Sequence, residues 1–242
     1  MGLKINNKEV YGGGQKFLVG QDARQQILDA AEALFEGEGY RGASVRAITS
    51  RAKVNLAAIN YYFGNKEALL EAVCERRLGP LNEARFKKLK EIRAEAKRLG
   101  RKVELEPVLK AFIEPALVLK EAGGQGAGFT ALFGRALADP DDTVQKIIFK
   151  MMKPVHQLMM DLMGEALPGL SKEEVFWSYQ FVIGAMARTT RIYKNPRAGG
   201  PEFEHSEGGV EMLIDRLVSF ASAGSQAGLK MKRKKNSAPE SI

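Results

Sequence analysis

Residues 44–66 read SVRAITSRAKVNLAAINYYFGNK, and this stretch decides the fold. Ser44 is placed to cap a helix, its hydroxyl accepting from a backbone N–H two or three residues on. Val45, Ile48 and Ala52 recur at helical spacing and give that helix one apolar face. Lys53 and Val54 make a turn. Asn55 is expected to cap a second helix, Leu56 to Tyr62, with Leu56, Ile59 and Phe63 turned inward. Gly64 ends it, and Asn65 caps a further helix that opens at Lys66. Two helices joined by so short a turn make a helix-turn-helix, whose second helix suits a DNA major groove.

The outward face of that second helix carries Ala57, Ala58, Asn60, Tyr61 and Tyr62. Small residues near its start allow close approach to base edges. Asn pairs with an adenine edge in bidentate fashion, and Ala meets a thymine methyl. Tyr hydroxyls reach phosphates, and Lys66 adds a cation at a helix start, where backbone N–H groups already favour phosphate. A helix this short cannot bury Ile59, Tyr61, Tyr62 and Phe63 on one side, which argues against a purely packing role for the tyrosines. The expected DNA-contacting set is Ser44, Arg46, Asn55, Leu56, Ala57, Ala58, Asn60, Tyr61, Tyr62 and Lys66.

From residue 27 to residue 73 the chain resembles the DNA-binding domain of the TetR family of bacterial transcriptional regulators. The carrying residues are ILDAAEALF (27–35), GY (39–40) and SVRAITSRAKVNLAAINYYFGNKEALLEAV (44–73). The resemblance implies an all-α homodimer: an N-terminal three-helix head bearing the helix-turn-helix, and a C-terminal helical ligand-binding and dimerisation domain. Two positions depart from the family pattern. Lys53 stands where Gly is usual in the turn, and Tyr62 where His is common.

Outward from this motif, Asp22 opens a helix whose Ile27, Ala30, Ala31, Leu34 and Phe35 form one apolar face. Gly37, Gly39 and Gly42 mark its exit, with Tyr40 plugging the small core. Residues 1–20, with Gly12 to Gly14 in succession, are read as a disordered arm. Residues 21–79 form the DNA-binding domain. Gly79-Pro80 is expected to break or kink the helix that opens at Lys66, between head and body. A following helix to Leu99 places Leu81, Leu89, Ile92, Ala96 and Leu99 on one side, and its other positions are heavily basic.

The body, residues 80–227, holds four or more further helices. Pro115 bends the helix of Val108 to Lys120, Pro154 lies within that of Val144 to Leu167, and Phe129 to Ala138 forms another. Met151, Met152, Met159, Met160 and Met163 fall at helical spacing and are read as flexible core filler, with an adaptable apolar pocket as the alternative. Ser171-Lys172-Glu173-Glu174 is a capping box opening a helix to Tyr193. Phe176, Trp177, Phe181 and the run Ile183 to Met186 make that helix too apolar all round for an ordinary surface helix. A last helix, Val210 to Ala223, is also apolar. The family uses two such C-terminal helices for a dimer four-helix bundle, so a two-fold interface is expected. The tail 228–242 is basic and read as disordered.

The C-terminal half resembles more loosely the TetR branch that answers to fatty acids or acyl-coenzyme A thioesters, through LGP (78–80), VFWSYQFVIGAM (175–186) and MLIDRLVSFASAG (212–224) beside the motif at 54–73. That likeness implies a small apolar effector such as a fatty acid or acyl-CoA. Phe112, Phe129, Phe133, Met152, Trp177 and Phe181 are expected to line its site. Arg188 and Arg191, at i, i+3 spacing, are either surface ion-pair partners or a grip for a ligand anion.

Charge supports this division. The net charge is +8 over 242 residues. Residues 75–102 carry 11 basic and 4 acidic side chains, whereas 103–229 carry 12 and 16. A basic head and first body helix with a mildly acidic remainder fit a nucleic-acid-facing end, though a solvated face accounts for 75–102 equally well. Cys74, the single cysteine, is read as a small buried hydrophobe. His156 and His205 lie far apart without ligand spacing, so neither a metal nor a cofactor is expected. No nucleophile elbow or phosphate-binding Gly loop points to an enzyme. Charges interrupt every apolar run and no signal peptide is seen, so the protein is expected to be cytoplasmic.

Overall fold

The computed structural model describes residues 10–12, 15–17, 21–121, 142–193 and 209–236. A short antiparallel hairpin, β1 (Val10–Gly12) and β2 (Gln15–Phe17), pairs Val10 with Phe17 and Gly12 with Gln15. Over those residues it replaces the disordered arm read from the glycine-rich sequence. Eight helices follow among the described residues: α1 (Gln21–Gly42), α2 (Val45–Ala52), α3 (Ala57–Phe63), α4 (Lys66–Arg98), α5 (Leu105–Glu121), α6 (Asp142–Ala166), α7 (Lys172–Ile192) and α8 (Gly209–Asn236). The chain divides into two compact units, 1–79 with 125–151 and 80–124 with 152–242.

In the first unit α1 packs on α2 and α3. Ile27, Ala31, Phe35, Ile48 and Ile59 are buried together with Leu69, Leu70 and Val73 of α4. Gly39 interrupts α1 with φ 76°, a left-handed conformation that a Cβ would penalise, and so turns the chain toward Ser44. Glu32 is also buried. It lies on the apolar stripe of α1, four residues after Leu28 and three before Phe35, and the guanidinium groups of Arg76 and Arg77 in α4 neutralise it. Arg77 Nε donates to Glu32 Oε1 at 2.5 Å, and Arg76 also reaches Asp29 at 2.6 Å.

In the second unit α5 packs against α8 and α7, and α7 against α8. The core contains Leu89, Val108, Leu109, Phe112, Met159, Met163, Tyr179, Val182 and Ile214. Met159 and Met163 are fully buried, and Met152 and Met160 pack against the same core. Ser171 caps α7 as a complete capping box: Ser171 Oγ accepts from Glu174 N at 3.3 Å, and Ser171 N donates to Glu174 Oε2 at 2.6 Å.

Two boundaries differ from the sequence reading. No helix break occurs at Gly79-Pro80, because α4 runs through it from Lys66 to Arg98 with Pro80 inside. Pro80 removes one intrahelical hydrogen bond, which weakens the helix locally without ending it. At the other end α8 continues to Asn236, so the tail is helical well past residue 228. Leu99, expected on the inner side, is exposed where the helix gives way to Gly100.

Candidate nucleic-acid interface

The turn between α2 and α3 is built from main-chain bonds. Ser44 Oγ accepts from Ala47 N at 3.0 Å and fixes the start of α2. Ile48, Thr49 and Ala52 face inward. Lys53 then takes φ 52° and ψ 41°, the left-handed region, and its N–H donates to the Ser50 carbonyl at 3.2 Å. That conformation is why glycine suits the position, and Lys53 occupies it despite the Cβ.

α3 is entered through Leu56, whose side chain caps nothing. Asn55, expected as the cap, contributes only its main-chain carbonyl, which accepts from Ala58 N at 3.1 Å. Its side chain is therefore not consumed by a capping bond. Leu56, expected to turn inward, is 52% exposed, because the inward register of α3 is held by Ile59. Phe63 is half-buried, with the Arg24 guanidinium 5.1 Å from its ring centroid.

The outward face is open. Ala57, Asn60 and Tyr61 are exposed, Ala58 and Tyr62 half-buried, and Tyr61 retains 81% of its surface. Tyr62 meets Tyr61 edge-on with ring centroids 4.9 Å apart, which limits how Tyr61 can swing. Gly64 at φ 85° ends α3. Asn65 Oδ1 accepts from Ala68 N at 2.8 Å and starts α4. Lys66 places its ammonium 4.4 Å from the Tyr40 ring centroid, a cation–π contact that fixes the side chain at that helix start. Ser44 and Arg46 lie exposed at the start of α2. Ser44, Arg46, Asn55, Ala57, Asn60 and Tyr61 are thus each exposed.

An open groove of about 440 Å³ between α1 and α2 lies outside this set. Asp29, Glu32 and Glu36 line one wall and Arg51 and Lys53 contribute to it. The acidic wall does not favour phosphate. Among the described residues no group of three His, Cys, Asp or Glu is arranged to hold a metal ion. No described helix is long and apolar enough to cross a membrane.

Among the described residues, the expected effector residues do not form one cluster. Phe112 is buried in the core of the second unit, and Met152 packs on that core. Trp177 and Phe181 instead point outward, 52% and 71% exposed, and stack on each other at 6.3 Å. The inward positions of α7 are Val175, Tyr179, Val182 and Met186, a 4-3-4 spacing that leaves Trp177 and Phe181 on the opposite side. Phe129 and Phe133 lie outside the described residues. Arg188 and Arg191 are both exposed on α7. The sequence reading missed two buried charged residues, Glu32 and Arg85. Their signal was available: each sits on the apolar stripe of its helix.

Residues 27–73 match the family described as bacterial regulatory proteins, tetR family, and residues 110–224 match the tetracyclin repressor-like C-terminal domain. The chain belongs to the TetR family. Curated relatives match about a quarter of the chain, two repressors among them. One is the HTH-type nicotine-responsive transcriptional repressor HdnoR of Paenarthrobacter nicotinovorans, 42% identical over 60 residues, 25% of this chain and 31% of the relative. The other is the HTH-type transcriptional repressor NicS of Pseudomonas putida, 41% identical over 64 residues, 26% of this chain and 30% of the relative. The match thus spans under a third of each relative's length. Among solved structures, FadR of Bacillus subtilis in complex with stearoyl-CoA superposes with a TM-score of 0.61 at 18% identity, covering 83% of this chain and 98% of that one. The fatty acid degradation regulator FadR of Bacillus halodurans gives 0.57 at 18% identity, over 85% and 97%. Both share the TetR fold with this chain.

Proposed function

We propose that this TetR-family protein is a cytoplasmic, homodimeric repressor that leaves its operator when a small apolar effector binds the second unit. The observation that carries the reading is the exposed face of α3, where Ala57, Asn60 and Tyr61 stand between two capped helix starts. A short helix held by Ile59 alone on its inner side presents base-reading and phosphate-reaching groups together. Ser44, Arg46 and Lys66 supply phosphate contacts around it.

Dimerisation is assigned to the outward faces of α7 and α8. Trp177, Phe181 and Phe220 are exposed there, an apolar surface that a second copy would cover. Paired heads then meet half-sites about one DNA turn apart or slightly more. The effector acts by population shift: it binds the released state better than the DNA-bound state, and DNA weakens effector binding by the same factor. The FadR complex with stearoyl-CoA motivates the choice of lipid ligands for a first screen.

The test is fluorescence anisotropy of the protein on DNA from upstream of its own gene, titrated with fatty acids and acyl-CoA thioesters. Release by one chain-length class supports the reading. Tight DNA binding with no release by any of them keeps the DNA-binding reading, removes the lipid effector and turns the search to other ligands.

A further inference from the structure

α4 carries Leu81, Arg85, Leu89, Ile92 and Ala96 at spacings of 4, 4, 3 and 4, so Arg85 occupies a position on the buried stripe of its helix. Its side chain is 2% exposed. Nε donates to the Phe112 carbonyl at 2.9 Å, Nη2 approaches Met186 Sδ at 3.6 Å, and the guanidinium carbon lies 4.3 Å from the Phe112 ring centroid. The described ion pairs give Arg85 no carboxylate. A guanidinium has five N–H donors, and here neutral acceptors meet two of them. Burial pushes the Arg85 guanidinium down to about 10, with Tyr179 acting in the opposite sense. A buried cation of this kind is destabilising unless an anion compensates it.

A second donor lies beside it. Tyr179 is fully buried, its ring centroid is 5.5 Å from that of Phe112, and its hydroxyl has no hydrogen-bond partner among the described residues. The half-buried His156 ring has its centroid 4.7 Å from that of Tyr179, and burial lowers its pKa. Among the described residues, this apolar core holds a phenol without an acceptor and a guanidinium without a carboxylate.

We propose that Arg85 and Tyr179 form the anion-binding end of the effector site, and that the effector is an apolar molecule bearing one carboxylate. A carboxylate matches the planar guanidinium in bidentate fashion and accepts a further bond from the phenol. A coenzyme A thioester is excluded as the group bound here: its acyl carbonyl is neutral, and its several phosphates need more cations than one guanidinium. The inference rests on the effector reading above and sharpens it to a chemical class.

The experiment measures binding of saturated carboxylates from hexanoate to octadecanoate, their methyl esters and hexadecanoyl-coenzyme A to the full chain, by calorimetry and thermal shift. Wild type should prefer a carboxylate over its methyl ester at least tenfold. Arg85→Met should bring that ratio close to one while leaving the ligand-free melting temperature unchanged or raised, because an uncompensated buried charge has been removed. Tyr179→Phe should reduce the ratio without abolishing it. Equal binding of acid and ester to wild type overturns the anion site and leaves an apolar effector standing. A preference that survives in Arg85→Met overturns the role of Arg85. No binding by any compound overturns both readings. Should Arg85→Met fail to fold, the wild-type ratio and Tyr179→Phe still decide the matter.

Discussion

Lys53→Gly should stabilise the protein. Lys53 holds φ 52° and ψ 41°, and it is the non-glycine residue with positive φ among the described residues. For an L-residue the left-handed conformation costs roughly 1–2 kcal/mol, because Cβ crowds the following carbonyl oxygen. Glycine escapes that cost but widens the unfolded ensemble, which returns about 0.5–1 kcal/mol. The net gain is about 0.5–1 kcal/mol. The main-chain bonds of the turn, Lys53 N to the Ser50 carbonyl at 3.2 Å and Val54 N to the Thr49 carbonyl at 3.1 Å, do not involve the side chain and persist in the variant. The Lys53 side chain is exposed, so its removal forfeits little packing. In a chain of this size the gain corresponds to a rise in Tm of roughly 1–4 °C, read by circular dichroism without DNA. Lys53→Ala is the control, since it removes the long side chain and keeps Cβ. A Lys53→Gly variant melting at or below wild type, or a Lys53→Ala variant gaining as much, would refute the claim that backbone strain sits in this turn.

Glu32→Ala leaves Arg76 and Arg77 facing a buried gap. It should cost about 3 kcal/mol, a large part of the stability of a small head and visible as a lower urea midpoint. Phe181→Glu places a charge on the outward aromatic face of α7, where that ring is 71% exposed beside Trp177. It should shift the protein to monomer by sedimentation while helix content stays constant; an intact dimer would remove that face from the interface. Burial, reinforced by the negative charges of Glu71, Glu32 and Glu75, pushes the Cys74 thiol up to about 12. The reactive thiolate is therefore scarce at pH 8, and labelling by a disulfide reagent should await unfolding. Stoichiometric labelling of the native protein within minutes would contradict that.

Capping chemistry was the most legible layer. Ser44, Asn65 and Ser171 each perform the cap that their residue type and spacing announced, because a cap is decided within four residues. Asn55 failed for a reason equally local: the turn delivers the chain one residue later, so Leu56 enters α3 and Asn55 keeps its side chain for solvent. Gly79-Pro80 read as a break or kink because each residue weakens a helix, yet α4 is not broken there, since burial of Leu78 and Leu89 on either side holds it. For α7 the composition was right and the facing wrong. With apolar residues all round, periodicity does not say which aromatic faces the core, and Tyr179, not Trp177 or Phe181, turns inward. Arg85 and Glu32 escaped because a charge on an apolar stripe resembles a lapse in the pattern until its environment is seen.

The central claim is that α3 reads DNA through its exposed face. The most direct measurement compares wild type with Tyr61→Ala by anisotropy on operator DNA and on a scrambled duplex at one fixed salt concentration. The account predicts that Tyr61→Ala loses at least tenfold on the operator while remaining a dimer with unchanged melting. Unchanged operator affinity, or a variant that falls apart to monomer, would contradict it.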